Sequence, residues 1–408
     1  MIYYKNMGQN NFLANPFSLY GITWSFVLLI YQLGWSHLVP NLSRGYIIFL
    51  SSTICISFIL GYIFYSKKIF TYKPLSVIPF DYLKKCSVIL YILFILEIIC
   101  AREIPFISYL LGNRENDYTD FGLPFVHVIL NGGLTVGALF SYYGYISINN
   151  TRRKCIKYLV IFCIPFLLMF NRGGMMFCFL GCLLIYLMKI KNLKKIIIKI
   201  SILLLLVLYI FGLLGNLRTD VGDAKNLLLE FGQATDSFKE SGIPPEFFWS
   251  YIYIATPLAN SQNMVNVDNR MEPSLKAYRD FTCFELLPEL IAKRISTDTM
   301  HRQEKDLIFD SFNVCSVYGR TYKYLGWWGP IFMYVFWIFW VIVTIGLIPK
   351  KSPFYVPAIA SVNLITIMNL FDNMFVFMGL ITVPFIFIIL SVFFKHGSKN
   401  FSGLCNIQ

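Results

Sequence analysis

The chain has 408 residues, of which 57% are hydrophobic and only 14% charged, with a formal charge of +13. Charged content lies well below the ~25% usual for soluble domains, and the mean hydropathy is +0.61. These values exclude an ordinary soluble protein and describe an all-α polytopic membrane protein. The positive charge does not point to nucleic acid, because most Lys residues flank apolar runs, where the cytoplasmic preference of Lys and Arg accounts for them.

Runs of roughly 18 or more mostly apolar residues, long enough to cross a hydrocarbon core of about 30 Å, predict ten transmembrane helices. They lie near 17–36, 45–65, 86–103, 123–147, 156–170, 173–188, 196–214, 324–348, 354–371 and 374–394. The N-terminal MIYYKNMGQNNFLANP lacks the order of a cleaved signal peptide, so the first helix is expected to stay as an anchor. The fifth and sixth helices form a tight hairpin whose tip is the NRGG sequence at 171–174. If ten helices alternate, one side collects Lys67, Lys68, Lys73, Lys84, Lys85, Arg152, Arg153, Lys154, Lys157, the Lys189 to Lys199 run, Lys350, Lys351, Lys395 and Lys399. That side is assigned to the cytoplasm, with both termini in it. The expected organisation is one membrane domain: helices one to seven in 1–215, a large loop in 216–323, and helices eight to ten with a tail in 324–408. No repeat of 20–50 residues is visible.

The loop is the one extramembrane unit of any size. Its stretch EFFWSYIYIATPLANSQNMV, Glu246 to Val265, is too broken and polar to span, and reads as a helix lying at the interface or re-entering under protein cover. A second stretch, Ser274 to Ile295, places Leu275, Tyr278, Phe281 or Thr282, and Glu285 or Leu286 at helical spacing, as an amphipathic helix ended by Pro288. The loop is therefore expected to cap the outer membrane face. Cys283 and Cys315 share it and either pair, in an oxidising compartment, or stay free thiols. The chain has no CxxC pair and its few His are scattered, so no metal site is expected.

With this topology the outward side holds Arg44, Arg102, Arg114, Arg172, Arg218, Arg270, Arg279, Arg294, Arg302 and Arg320, while Lys stays mostly inside. Arg has a planar five-donor fork that grips phosphate or carboxylate bidentately and keeps its charge. Any single one is explained by contact with lipid headgroups or local ion pairs, but the set favours an anionic ligand at the outer leaflet. Glu97, His127, Asn131, Asn369, Asp372 and Asn373 also fall in outer helix halves or turns, where an ionisable group needs a cavity or a partner. For Glu97 and Asp372 an ion pair with a nearby Arg is as good an account as catalysis, and for His127 a satisfied buried histidine is the commoner one.

The hairpin NRGG, the helix end GLLGNLRTD at 212–220, the segment ISYLLGNRENDYTDFGLP from Ile107 to Pro124, and above all FNVCSVYGRTYKYLGWWGP at 312–330 resemble the bacterial O-antigen or oligosaccharide repeat-unit polymerases, the Wzy family. The resemblance covers most of the chain by architecture. Related chains commonly carry a Pro-Arg pair with a downstream Lys in the outer loop; here Pro288 is followed by Glu289, with Lys293 and Arg294 beyond. The resemblance implies a multi-spanning, lipid-phosphate-dependent glycosyltransferase of GT-C-like architecture at the periplasmic face of the inner membrane. Donor and acceptor would both be undecaprenyl-pyrophosphate-linked oligosaccharides, with no cofactor and a chain-length regulator as a further partner. The finished-chain ligase shares this chemistry and topology. A flippase for the same lipid would show two repeated halves and no large one-sided loop.

Breaking a glycosyl–pyrophosphate bond builds negative charge on the leaving group, which preorganised cations stabilise. Arg172 and Arg218, both tied to membrane helices, are the first candidates, with Arg114, Arg279, Arg294 and Arg320 in support. The glycines after Arg172 either allow close backbone approach to an oxyanion or only make the turn. The acceptor hydroxyl benefits from a general base: His301 is the candidate, with Glu272, Asp280 and Glu289 as alternatives. Tyr251, Tyr253, Tyr278, Trp327 and Trp328 are placed to stack on sugar rings or to form an interfacial belt.

Overall fold

The computed structural model describes residues 15–75, 77–111, 121–190 and 229–401, with Phe12 and nine positions between 198 and 213. Among these residues the fold is all-helical apart from one bridge between Ser36 and Ala234. The first group of helices is α1 (Pro16–Tyr31), α2 (Arg44–Ser66), α3 (Phe80–Ala101), α4 (Pro105–Leu110), α5 (Pro124–Ser147), α6 (Arg152–Leu168) and α7 (Arg172–Lys189). The loop region contributes α8 (Asp236–Lys239), α9 (Glu246–Val267), α10 (Leu275–Phe281), α11 (Glu289–Ile295) and α12 (Gly319–Leu325). The chain returns through α13 (Trp328–Leu347), α14 (Tyr355–Met368) and α15 (Met378–Phe401).

Local chemistry sets where these helices start. Asn15, Ser43 and Asn171 each accept a first-turn amide with the side-chain oxygen, and Pro16 and Pro124 supply the fixed φ that a first turn wants. It also corrects the expected ends. The first helix stops at Tyr31 rather than near 36, because Gly34 takes φ +60. Each expected span except the seventh coincides with a helix; the seventh, 196–214, lies largely outside the described residues, and the positions described there are helical.

Four helices, α2, α5, α7 and α13, are long and apolar enough to cross a membrane, and α1, α14 and the first part of α15 are apolar but shorter. Their packing gives a bundle with an apolar exterior: Ile48 and Ile59 of α2, Ile92 and Ile99 of α3 and Phe339 of α13 are all exposed. Large apolar faces of that kind suit lipid rather than water. At the centre, α14 is buried almost all round, from Tyr355 to Met368. The molecule is thus an all-α membrane protein.

The two ends of the bundle differ chemically. At one, the Lys73 amide donates to the Lys350 carbonyl (3.0 Å) and the Tyr355 hydroxyl to the Ile69 carbonyl (3.4 Å), so the lysine-bearing turns meet where α14 begins. At the other, about 20 Å along α14 at 1.5 Å per residue, Asn369 receives the Val317 amide (2.9 Å) and the loop region packs down. We call this the loop end.

Helix α9 is covered by protein, packing on α1 and α12 with Ser250, Tyr251, Asn260, Ser261 and Gln262 buried. The Ser274–Ile295 stretch departs from its expected stripe at its start, where Leu275 and Tyr278 are exposed and Ala277 and Asp280 turn inward, and keeps it at Phe281 and Glu285, which are buried. A π-helical turn follows at Thr282–Leu286, closed by a bond from the Leu287 amide to the Thr282 carbonyl (3.2 Å). The helix stops before Pro288, as expected, but a new one, α11, starts right after it. Cys283 and Cys315 are free thiols in separate surroundings, Cys283 against the Ala292 carbonyl and Cys315 against Ser261 and Met264.

The eighth expected helix begins at Trp328 rather than 324, because Gly326 takes φ +56 and turns α12 into α13. In the first turn of α13, a Cβ on Gly329 would overlap the Thr321 carbonyl, a backbone atom that cannot swing aside. Gly329→Ala should therefore cost about 1–3 kcal/mol, as overpacking does, and lower the melting temperature in detergent. Gly346→Ala in the same helix, with nothing within 4 Å of the added methyl, should leave it unchanged or slightly raised.

Candidate functional site

The site is built on a strap, residues 301–318, that crosses the loop end without regular structure until α12. The strap is held from below by α9. Asn260, fully buried, donates to the Phe312 and Val314 carbonyls (2.6 Å each) and accepts the Ile308 amide (2.8 Å), while Asn263 donates to the Asp306 carbonyl (3.1 Å). A buried amide that uses both donor and acceptor on backbone fixes a non-repetitive segment as firmly as a helix would. Beside the strap lies the 369–377 turn between α14 and α15. The Cys315 and Val317 amides donate to the Phe371 and Asn369 carbonyls, and the Glu289 amide to that of Val376.

These elements bring together charges from four separate stretches. Lys305 Nζ meets Asp372 Oδ2 at 2.6 Å, and Arg320 Nη2 reaches the same oxygen at 3.6 Å. Lys323, 3% exposed, pairs with Asp306 (2.8 Å) and donates to the Glu304 carbonyl (3.0 Å). Glu285, 1% exposed, accepts from Asn373 Nδ2 on Oε2 (2.9 Å), and Arg302 Nε stands 4.0 Å from its Oε1. Arg279 and buried Asp280 form a neighbouring pair at 3.1 Å that also holds Thr299.

Four cations thus face three carboxylates, and one carboxylate is weakened. Burial pushes the Glu285 carboxyl above its ordinary value, against the pull of Arg320, Arg302 and the Asn373 hydrogen bond. For Arg320, burial works against the charge, but Glu285 and Asp372 outweigh it and hold the guanidinium charged. The cluster is therefore net positive, and three of its atoms lack hydrogen-bond partners: Glu285 Oε1, Arg320 Nη1 and Asp306 Oδ2, the last facing Lys323. Arg302 and Asp372, each about a third exposed, form its solvent-facing rim.

Of the residues singled out in the sequence, Arg302, Arg320, Asp372 and Asn373 enter the cluster, with Asp372 paired to an Arg as one of its two accounts had it, and Arg279 borders it. His301 and Arg294 are exposed on the strap and α11, and Tyr278 is exposed on α10. Arg172 opens α7, exposed, with its guanidinium 4.5 Å from the centre of the Phe170 ring. The glycines after it do not make the turn: Phe170 takes the left-handed conformation (φ +55), and Gly174 gives room to the Phe166 ring. Arg114 and Arg218 lie outside the described residues. Tyr251 is buried against Trp35, which removes it from the sugar-stacking set.

The sequence reading missed Glu285, Lys305, Lys323 and Asp306 as site residues. For the last three a signal existed in the alternating charges of HRQEKD at 301–306 and RTYK at 320–323, where His301, Arg302 and Arg320 are singled out and their charged neighbours are not.

Two smaller polar contacts lie at the same end. Glu97, fully buried in α3, meets His127 Nδ1 at 3.0 Å, so its partner is a histidine and not the expected Arg. Asn171 donates to Asn131 at 3.3 Å, tying the α6–α7 hairpin to α5.

Fold and site together define an all-α membrane protein with a net-positive polar centre buried at one end. No family model, no curated protein and no solved structure matches the chain.

The raised Glu285 carboxyl has a stability consequence. Its folded form binds protons more readily than its unfolded form, so its contribution is fully present below the unfolded carboxylate value and is lost as pH rises through the folded one. Glu285→Gln, which cannot ionise, should gain melting temperature relative to wild type as pH is raised through that window, and the gap should level off above it. A gap that does not change with pH would contradict the burial-raised carboxyl.

Proposed function

We propose that the chain is a glycosyltransferase that polymerises undecaprenyl-pyrophosphate-linked oligosaccharide repeat units, an O-antigen polymerase of the inner membrane. In this reading ten helices span the membrane with both termini cytoplasmic, and the loop end faces the periplasm. The observation that carries it is the net-positive cluster buried where the loop region meets the ends of α12 and α14. A site of this kind suits a pyrophosphate presented at the membrane surface by its own lipid.

The parts divide the work by exposure. Arg302 and Lys305, at or near the rim, grip the pyrophosphate and stabilise the charge that grows as the glycosyl bond breaks. Lys323, Arg320 and their carboxylates below hold the rim in place, so no reorganisation is needed during reaction. Arg172, exposed at the tip of the α6–α7 hairpin, adds positive charge at the same end. The donor glycan leaves its lipid and joins the non-reducing end of a second lipid-linked unit, with no nucleotide sugar involved. A chain-length regulator is a further partner of the reading.

The test supplies purified protein with lipid-linked repeat units and no other enzyme. A ladder of longer glycans is expected, and the double variant Arg302→Ala/Lys305→Ala should lose at least about 100-fold in elongation rate, the loss typical of removing a preorganised donor. Transfer to lipid A–core in place of a ladder would make the protein a ligase. A ladder at wild-type rate from the double variant would remove the cluster from the chemistry.

A further inference from the structure

Within the cluster, Glu285 and Arg320 stand out because their pairing is incomplete. They form no direct ion pair, yet each is the strongest opposite charge acting on the other, ahead of Arg302 on Glu285 and of Asp372 on Arg320. Glu285 Oε1 and Arg320 Nη1 are both buried and both without a hydrogen-bond partner. An orphaned acceptor and an orphaned donor on opposite charges of one cluster cost free energy unless something satisfies them. Glu285 sits in the π-helical turn at Thr282–Leu286, and such turns recur at functional sites.

A phosphate does not suit this pair, since the Glu285 carboxylate would repel its oxygens. A hydroxyl does: its O–H donates to the carboxylate while its oxygen accepts from the guanidinium. We propose that Glu285 and Arg320 bind a hydroxyl group of the acceptor glycan, and that Glu285 is the proton acceptor for glycosyl transfer. The inference rests on the polymerase reading and adds to it the residue that takes the acceptor proton. In the step, the acceptor oxygen forms a bond to the anomeric carbon of the donor. The bond from that carbon to the pyrophosphate oxygen breaks, its electron pair leaves with undecaprenyl pyrophosphate, and the acceptor proton passes to Glu285 Oε1. Arg320 Nη1 holds the attacking oxygen. The groups that surround the carboxyl, Arg302, Arg320, Asp372 and Asn373, set where it titrates, and its raised value brings it nearer the range where a base works at neutral pH.

Two measurements on the full-length protein in detergent test this, with lipid-linked oligosaccharide extracted from the cells that make it. Elongation is followed in wild type, Glu285→Gln and Glu285→Asp, each checked for a single symmetric gel-filtration peak and helical circular dichroism. Binding of the oligosaccharide released from that lipid by mild acid, which carries no phosphate, is followed by tryptophan fluorescence. Glu285→Gln should elongate at least about 100-fold more slowly, as expected for loss of a general base. Glu285→Asp should retain part of the activity with its acidic limb moved. The released glycan should bind wild type and bind at least 10-fold more weakly to Glu285→Ala and Arg320→Lys. A wild-type ladder with unchanged elongation by folded Glu285→Gln overturns the inference and leaves the polymerase reading standing. No wild-type ladder, with glycan binding that still depends on Glu285, removes the polymerase reading and the proton transfer but keeps the hydroxyl site. Absence of both overturns both.

Discussion

The loop end depends on one requirement: charges drawn out of water must find partners within the protein. The turn between α14 and α15 meets it. Asp372 takes Lys305 and Arg320, Asn373 takes Glu285, and the Asn369 side chain accepts the Met374 amide at 3.0 Å. Three consecutive pieces of the loop region are thereby fastened to the end of the most buried helix in the bundle. Removing one member of a buried pair typically costs about 3–5 kcal/mol, because the other is left uncompensated. This interlock explains how a long, largely irregular strap keeps one conformation, with Asn260 of α9 fixing it from the opposite side.

The same interlock limits what the cations can do. Lys323 is locked beneath the surface by Asp306, and Arg320 is shared between Asp372 and Glu285, so neither is free to follow a ligand. Arg302 has only a distant contact with Glu285 and reaches solvent. A rigid base with a more open rim is the arrangement a preorganised anion site needs, since the cost of ordering the cations is met when the chain folds and not when the substrate binds. The Glu97–His127 contact and the Asn131–Asn171 contact lie apart from this network and tie α3 to α5 and α5 to the α6–α7 hairpin.

Much of the fold was legible in the chain because hydropathy follows directly from the need to bury or bathe apolar surface. The apolar runs coincide with helices wherever residues are described, and the NRGG hairpin is where it was expected. What escaped was set by geometry that leaves little trace in composition. Gly326 at φ +56 separates α12 from α13, and Glu285, an unremarkable stripe position in the sequence, meets Asn373 and Arg302 across long stretches of chain. The outward Arg set contains two members of the cluster, Arg302 and Arg320, but not its lysines. Arg102 and Arg294 are exposed, whereas Lys305 and Lys323 sit in the cluster. Long-range pairing between 301–306, 320–323 and 372–373 decides the site, and no local window contains all three.

The central claim is that the cluster at the loop end receives a lipid pyrophosphate. The most direct measurement is an electron cryomicroscopy structure of the protein in lipid nanodiscs with undecaprenyl pyrophosphate bound. Pyrophosphate density is expected against Arg302 and Lys305, with its lipid running down the apolar exterior of the bundle. Pyrophosphate density seated elsewhere, with Arg302 and Lys305 facing only water, would contradict it.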